Sequence, residues 1–141
     1  MSKLDLSQLS EFVDQWWDDS ALPSLCEFVE IPALSPSFDS DWEANGYLDA
    51  AVNTFVAWVR SLPLKGLTIS VHRLKNRSPV LLVRIEGDAD GDVLFYSHLD
   101  KQPEAEGWSE GKGPWKAVIE DEWLFGRGSV DDGYGGYAGV L

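Results

Sequence analysis

The chain is short of cysteine and of long apolar runs, and each shortage excludes a class of protein. Cys26 is the only cysteine among 141 residues, so no intramolecular disulfide is possible and nothing indicates an oxidising compartment. No apolar run approaches the roughly 18–20 residues that are needed to cross a bilayer. The N-terminal sequence MSKLDLSQLSEF lacks the apolar core of a signal peptide. We therefore predict a cytoplasmic protein with no membrane partner.

Basic residues are also scarce. The chain has 11 lysines and arginines and 24 acidic residues, so its formal net charge is −13. Each contact to a nucleic-acid phosphate requires a basic side chain, so this balance predicts no nucleic-acid partner. Most of the excess carboxylates are expected on solvated surface, and a minority could hold a cation. Hydrophobic residues make up 44% of the chain, which is enough for one domain with a core.

Hydrophobic periodicity divides the chain into a helical first half and a strand-rich second half. Helical spacing predicts helices over residues 5–18, from Ser20 to about Glu30, and from Leu48 to the residue before Pro63. Beyond Gly66, alternating or continuous apolar residues predict strands over 67–72, 80–85, 93–96, 117–119 and 123–125, and a helix from Asp132 onward. This order predicts an α/β fold in which N-terminal helices pack on a mixed β-sheet.

The segment Val93-Leu94-Phe95-Tyr96 is apolar at every position, so we predict a central strand that is covered on both faces. His98 and Asp100 follow directly, and residues two apart on extended backbone point to one face. Imidazole is a preferred zinc ligand, and a nearby carboxylate fixes its tautomer. The alternative is a surface histidine beside an ordinary turn aspartate, and His-x-Asp alone would favour that alternative.

A second cluster, Gly126-Arg127-Gly128-Ser129-Val130-Asp131-Asp132, combines a glycine turn with paired carboxylates. Glycine permits positive φ and close backbone approach, so a carboxylate there can be aimed inward. One aspartate can bridge two cations, as two-metal hydrolases require. The alternatives are a helix N-cap at Ser129 or Asp131 and a glycine turn without a ligand. A dinucleotide-binding fingerprint fits poorly, because Asp131 occupies the position of its third glycine.

Together the two clusters resemble a known family. SHLDKQP (97–103) and GPWKAVIEDEWLFGRGSVDDG (113–133) are similar to the N-terminal catalytic segment of the M20 metallopeptidases, most strongly over residues 91–139. These are di-zinc exopeptidases and deacylases of the carnosinase, aminoacylase and glutamate carboxypeptidase type. The carnosine-dipeptidase branch is the most similar, since its members also tend to read H-x-D-x-x-P and G-R-G-x-x-D-D. The resemblance implies a partial zinc-exopeptidase-type catalytic domain.

The resemblance also implies a role for each motif residue. His98 would be a ligand to one zinc, Asp131 would bridge both zincs, and Asp100 would be a catalytic carboxylate that orients His98. Family members often have Lys-Gly after the paired aspartates, whereas this chain has Gly133 and Tyr134. That difference leaves the ligands intact and leaves the subfamily open. Two zinc ions are the implied cofactors, and cobalt or manganese also suits such a ligand set.

The paired glutamates, later aspartate and distant histidine that complete the family site are not found in residues 1–141. We therefore expect an N-terminal fragment of one M20-type catalytic domain, without the lid or dimerisation domain and inactive alone. The full-length enzyme would hydrolyse a small peptide or N-acyl amino acid, with a homodimer as one assembly. The alternative is a non-catalytic acidic binding domain or a degenerate M20 relative.

Two further interpretations concern single side chains. Cys26 lies in a helix among apolar residues, so a buried thiol is favoured over a nucleophile. Lys101 and Arg127 are expected to be structural ion-pair partners.

Overall fold

The computed structural model describes residues 5–141, and its first half is a helical layer. The elements of this layer are α1 (Leu6–Trp16), a wider π-type turn (Trp17–Ala21), α2 (Leu22–Glu30), α3 (Trp42–Asn45) and α4 (Tyr47–Ser61). The Asp5 carboxylate caps α1 by accepting hydrogen bonds from the backbone N–H groups of Ser7 and Gln8. Across residues 5–141, no helix is both long and apolar enough to cross a membrane.

The core lies between α2 and α4. Leu25, Phe28 and Val29 of α2 are almost fully buried, as are Phe55 and Val59 of α4. Phe55 and Val59 are four residues apart and so share one face of their helix. Burying side chains of this size contributes about 1.5–3 kcal/mol each, so this contact stabilises the position of the end of α2.

Strands and one short helix make up the second half. Its elements are β1 (Leu67–His72), β2 (Val80–Ile85), β3 (Val118–Glu120), β4 (Trp123–Phe125), a kinked turn (Ser129–Tyr134) and α5 (Gly135–Val140). β1 pairs antiparallel with β2, and β3 pairs antiparallel with β4. Asp121 and Glu122, which join β3 to β4, both have positive φ (50° and 66°), as a tight two-residue hairpin turn requires.

The predicted α/β class is confirmed, and the predicted helices and hairpins are found close to their expected bounds. The strands form two small antiparallel sheets in the part of the chain that the structure describes. The helix expected from Asp132 begins at Gly135, because the backbone of Asp131 and Asp132 is not helical.

The prediction of a buried central strand at Val93–Tyr96 is wrong. The four side chains are 68–93% exposed, and none of these residues belongs to a strand. A strand requires a hydrogen-bonded neighbour, and β1 to β4 are each paired within their own hairpins. Continuous apolar sequence cannot distinguish a covered strand from an exposed segment, since covering depends on what lies beside it.

Candidate metal centre

The His98 motif is held beside the loop that follows α2. The backbone N–H of Lys101 donates to the carbonyl oxygen of Ala33 (2.8 Å), and the N–H of Ser35 donates to the carbonyl oxygen of Lys101 (2.9 Å). These two bonds form an isolated parallel bridge between Leu34 and Lys101. The end of the motif is therefore fixed to the helical layer by its own backbone.

His98 lies between the other two predicted site residues. Its Nδ1 is 2.9 Å from the carbonyl oxygen of Asp100 and 3.2 Å from Oδ1 of the same residue. Its Nε2 is 3.3 Å from Oδ1 of Asp131. The side chains of His98 and Asp100 are 33% and 32% exposed, whereas that of Asp131 is 64% exposed. The structure thus brings His98, Asp100 and Asp131 together at one partly open place.

Two glycines direct the chain from β4 to Asp131. Gly126 and Gly128 have φ of 151° and 85°, which is backbone that favours glycine. A Cβ at Gly126 would collide with Val29, and a Cβ at Gly128 would lie 2.7 Å from Cε of Lys101. The Ser129 hydroxyl donates back to the carbonyl oxygen of Gly126 (2.9 Å). Ser129 therefore closes the glycine turn and makes no N-cap hydrogen bond to the helical turn that follows.

Asp132 contributes a second link between the two motifs, which the sequence did not single out. Its Oδ2 accepts a hydrogen bond from the backbone N–H of His98 (3.2 Å), and its carbonyl oxygen accepts one from the Ser97 hydroxyl (2.9 Å). The Asp131–Asp132 peptide bond is cis. The paired aspartates thus have separate contacts, since Asp131 faces the imidazole ring and Asp132 holds the backbone that carries it.

The expected ion pairs of Lys101 and Arg127 are not found in the described part of the chain. The Arg127 Nε donates to the carbonyl oxygen of Gln102 (3.2 Å). Lys101 is almost fully buried, and its ammonium donates to backbone carbonyl oxygens at the end of α2. Both cations therefore have backbone partners, which side-chain charge patterns in a sequence do not specify.

The surroundings of His98 raise its pKa above the usual value of 6.5. Burial alone lowers this pKa, but the hydrogen bond to the carbonyl oxygen of Asp100 and the charges of Asp100, Asp131 and Asp132 outweigh it. The carboxylates thus favour a positive charge on or beside the imidazole ring. A proton supplies that charge in one state, and a metal ion can supply it in another.

The donor atoms fit one edge of a zinc site. Ligands at 2.0–2.1 Å in a tetrahedral zinc site are about 3.3 Å apart, and His98 Nε2 and Asp131 Oδ1 are separated by 3.3 Å. Among residues 5–141 there is no group of three or more histidine, cysteine or acidic side chains that could hold a metal ion. The described residues therefore supply two ligands from a set that needs four.

The same motifs carry the similarity to known proteins. Residues 94–141, which include His98, Asp100 and Asp131, match the family described as Peptidase family M20/M25/M40. This part of the chain is thus similar to that family. Its candidate metal centre lies wholly within the matched residues.

Two individual proteins are also similar to the chain. An uncharacterized metallohydrolase of Methanocaldococcus jannaschii is 24% identical to this chain over 127 residues, which is 87% of the chain and 31% of that protein. A succinyl-diaminopimelate desuccinylase of Acidiphilium cryptum is 40% identical over 68 residues, which is 48% of the chain and 18% of that protein. The chain thus spans less than a third of the length of these relatives.

Proposed function

We propose that residues 1–141 form the N-terminal part of an M20-type catalytic domain in a di-zinc hydrolase that cleaves peptide or N-acyl amide bonds. The separation of 3.3 Å between His98 Nε2 and Asp131 Oδ1 carries this proposal. When the Nδ1–H group of His98 donates to Asp100, Nε2 presents a lone pair towards a carboxylate oxygen. Two electron-rich atoms at this separation are stabilised by a cation between them, either a proton or a metal ion, and the donor set suits zinc.

Each residue of the motif has a distinct part in this proposal. Asp100 holds the Nδ1–H tautomer of His98 and thereby directs Nε2 to the metal. Asp131 is 64% exposed and has a second carboxylate oxygen for the other metal ion. Zinc, when bound, supplies Lewis-acid chemistry for hydrolysis. Cobalt or manganese suits the same ligands, so zinc as the native metal is itself a proposal.

The substrate class follows from the family rather than from a pocket. The Acidiphilium cryptum relative is a desuccinylase by name, and removal of a succinyl group from an amine cleaves an N-acyl amide. We propose a small peptide or N-acyl amino acid as the substrate of the complete enzyme. A cytoplasmic location, and a homodimer as one assembly of the complete protein, belong to the same proposal. The carnosine-dipeptidase branch stays a prediction.

A paramagnetic metal titration tests the site in the chain itself. Added Co²⁺ should broaden the NMR signals of the His98 ring at lower concentration than those of His72, an exposed histidine at the end of β1. Asp131→Asn should abolish the preference, because it removes one of two ligands, whereas His72→Gln should leave the Co²⁺ concentration that broadens the His98 signals unchanged. Equal broadening at both histidines, or an unchanged preference in Asp131→Asn, would contradict the proposed site.

Hydrolysis assays test the activity separately. Zinc-loaded residues 1–141 should not hydrolyse dipeptides or N-acyl amino acids, because two ligands do not complete a catalytic zinc site. A longer form of the protein should hydrolyse them in a chelator-sensitive manner, and His98→Gln should abolish that activity. Turnover by residues 1–141, or an inactive and metal-free longer form, would overturn the proposal.

A further inference from the structure

Lys101 is a buried cation that the proposed chemistry does not use. Lys101 is 1% exposed, and its Nζ donates to the carbonyl oxygens of Phe28 (2.7 Å), Val29 (3.0 Å) and Ile31 (2.7 Å). All three protons of the ammonium therefore have acceptors. Nζ also lies 4.2 Å from the centroid of the Phe28 ring and 5.4 Å from that of the Trp115 ring, where a cation is favoured.

Phe28 and Val29 lie in the last turn of α2 and Ile31 directly follows the helix, where carbonyl groups have few partners within the helix. The partial negative charge at this end favours a cation. Burial lowers the pKa of Lys101 to about 7, and the carbonyl oxygens oppose this effect by stabilising the protonated amine. Below pH 7 the Lys101 side chain is thus an ammonium, and it caps α2 from the motif that contains His98.

The stem of Lys101 reaches the second motif. The Cα of Gly128 approaches so closely that a Cβ there would lie 2.7 Å from Cε, 3.1 Å from Cδ and 3.2 Å from Cγ of Lys101. Gly128 directly precedes the turn Ser129–Tyr134 that contains Asp131. One side chain therefore contacts the end of α2 and the glycine turn, while its backbone directly follows Asp100.

We propose that Lys101 is a positioning residue that sets the place of His98 relative to Asp131 by joining both motifs to the end of α2. Its ammonium fixes the His98 segment to the helical layer, and its stem supports Gly128 beneath the other motif. The consequence for metal binding rests on the proposed function, whereas the positioning itself does not.

The test compares Lys101→Met with Lys116→Met by backbone amide NMR at pH 6 without metal. Lys101→Met keeps most of the stem and removes the cation, and Lys116 is an exposed lysine whose ammonium donates to the nearby carbonyl oxygen of Gly111. We expect Lys101→Met to shift the amide signals of both His98 and Asp131, and Lys116→Met to shift neither. Shifts confined to α2 and the immediate neighbours of residue 101 would overturn the proposal, because they would indicate a purely local cap.

Chemical rescue gives a second measurement in case Lys101→Met does not fold. Lys101→Ala lacks the atoms of n-propylammonium, so this cation should occupy the vacated space. We expect added n-propylammonium to return the His98 and Asp131 signals towards their wild-type positions, whereas n-propanol should not. Rescue by n-propanol, or no rescue in a folded Lys101→Ala chain, would contradict a role for the ammonium.

Co²⁺ titration of the same variants separates this proposal from the proposed function. Moved His98 and Asp131 signals with weakened Co²⁺ binding at His98 would support both. If Lys101→Met moves the signals but the wild-type chain shows no Co²⁺ preference for His98, the positioning role would be supported and the metal site contradicted. Unmoved signals with weakened Co²⁺ binding would overturn the positioning role alone.

Discussion

Single glycines determine the path of the chain at the candidate metal centre. Gly128→Ala should destabilise the protein by about 1–3 kcal/mol more than Gly111→Ala, since overpacking costs roughly that amount. Both glycines have φ near 80°, but only at Gly128 would the new Cβ meet another side chain, that of Lys101. Urea unfolding of both variants measures the difference. Equal midpoints would show that the Lys101 side chain moves aside without lowering the free energy of unfolding.

The charge environment of His98 predicts a pH-dependent stability. The pKa of His98 is raised in the folded chain, so its protonated form stabilises the fold fully below the unfolded value of about 6.5. This contribution is lost as the pH rises through the folded pKa. The stability advantage of wild type over His98→Gln, measured by urea unfolding with chelator present, should therefore decrease between pH 6 and pH 8. A constant advantage, or a decrease of the same size against His72→Gln, would contradict this assignment.

At the scale of elements, Tyr137 fixes α5 to the helical layer. Its ring is fully buried against Phe55 and Trp58, and its hydroxyl donates to the carbonyl oxygen of Ser24 (3.0 Å). Tyr137→Phe should destabilise the chain by about 1 kcal/mol, because it leaves this acceptor without its donor. Tyr47→Phe, at an exposed tyrosine on α4, should cost less. Thermal unfolding of the two variants provides the comparison.

The elements also show what sequence can and cannot predict here. α4 and the β3–β4 hairpin follow from local periodicity and turn chemistry, and both form as expected. The resemblance of the two motifs to a known family implied that His98 and Asp131 meet, and the hydrogen bonds from Ser97 and His98 to Asp132 hold the two motifs together. The acceptors of Lys101 were not predictable, because they are backbone carbonyl groups about 70 positions earlier and every residue has one. The exposure of Val93–Tyr96 was not predictable either, because it depends on whether a strand pairs with this segment. In the part of the chain that the structure describes, no strand does.

For the whole molecule, that exposed segment opposes the effect of the net charge. Four consecutive exposed apolar side chains form a patch that promotes association, whereas the charge of −13 promotes repulsion that salt screens. We expect concentration-dependent self-association at about 0.15 M salt, where the Debye length is about 8 Å. Leu94→Lys should reduce it, and Leu74→Lys, in the loop between β1 and β2, should not. Sedimentation velocity measures both, and a wild-type monomer at every concentration would contradict the expectation.

The bond between Lys101 and Phe28 also affects the order in which the molecule assembles. It joins positions 73 residues apart, and closing a loop of that length costs on the order of 4 kcal/mol in chain entropy. Contact between α2 and α4 costs less chain entropy, because fewer residues separate the two helices. The helical layer can thus form before the two motifs converge, and the motifs can separate while the layer persists. Local opening would then separate His98 from Asp131 without global unfolding, and ligand-binding segments are often among those that open locally.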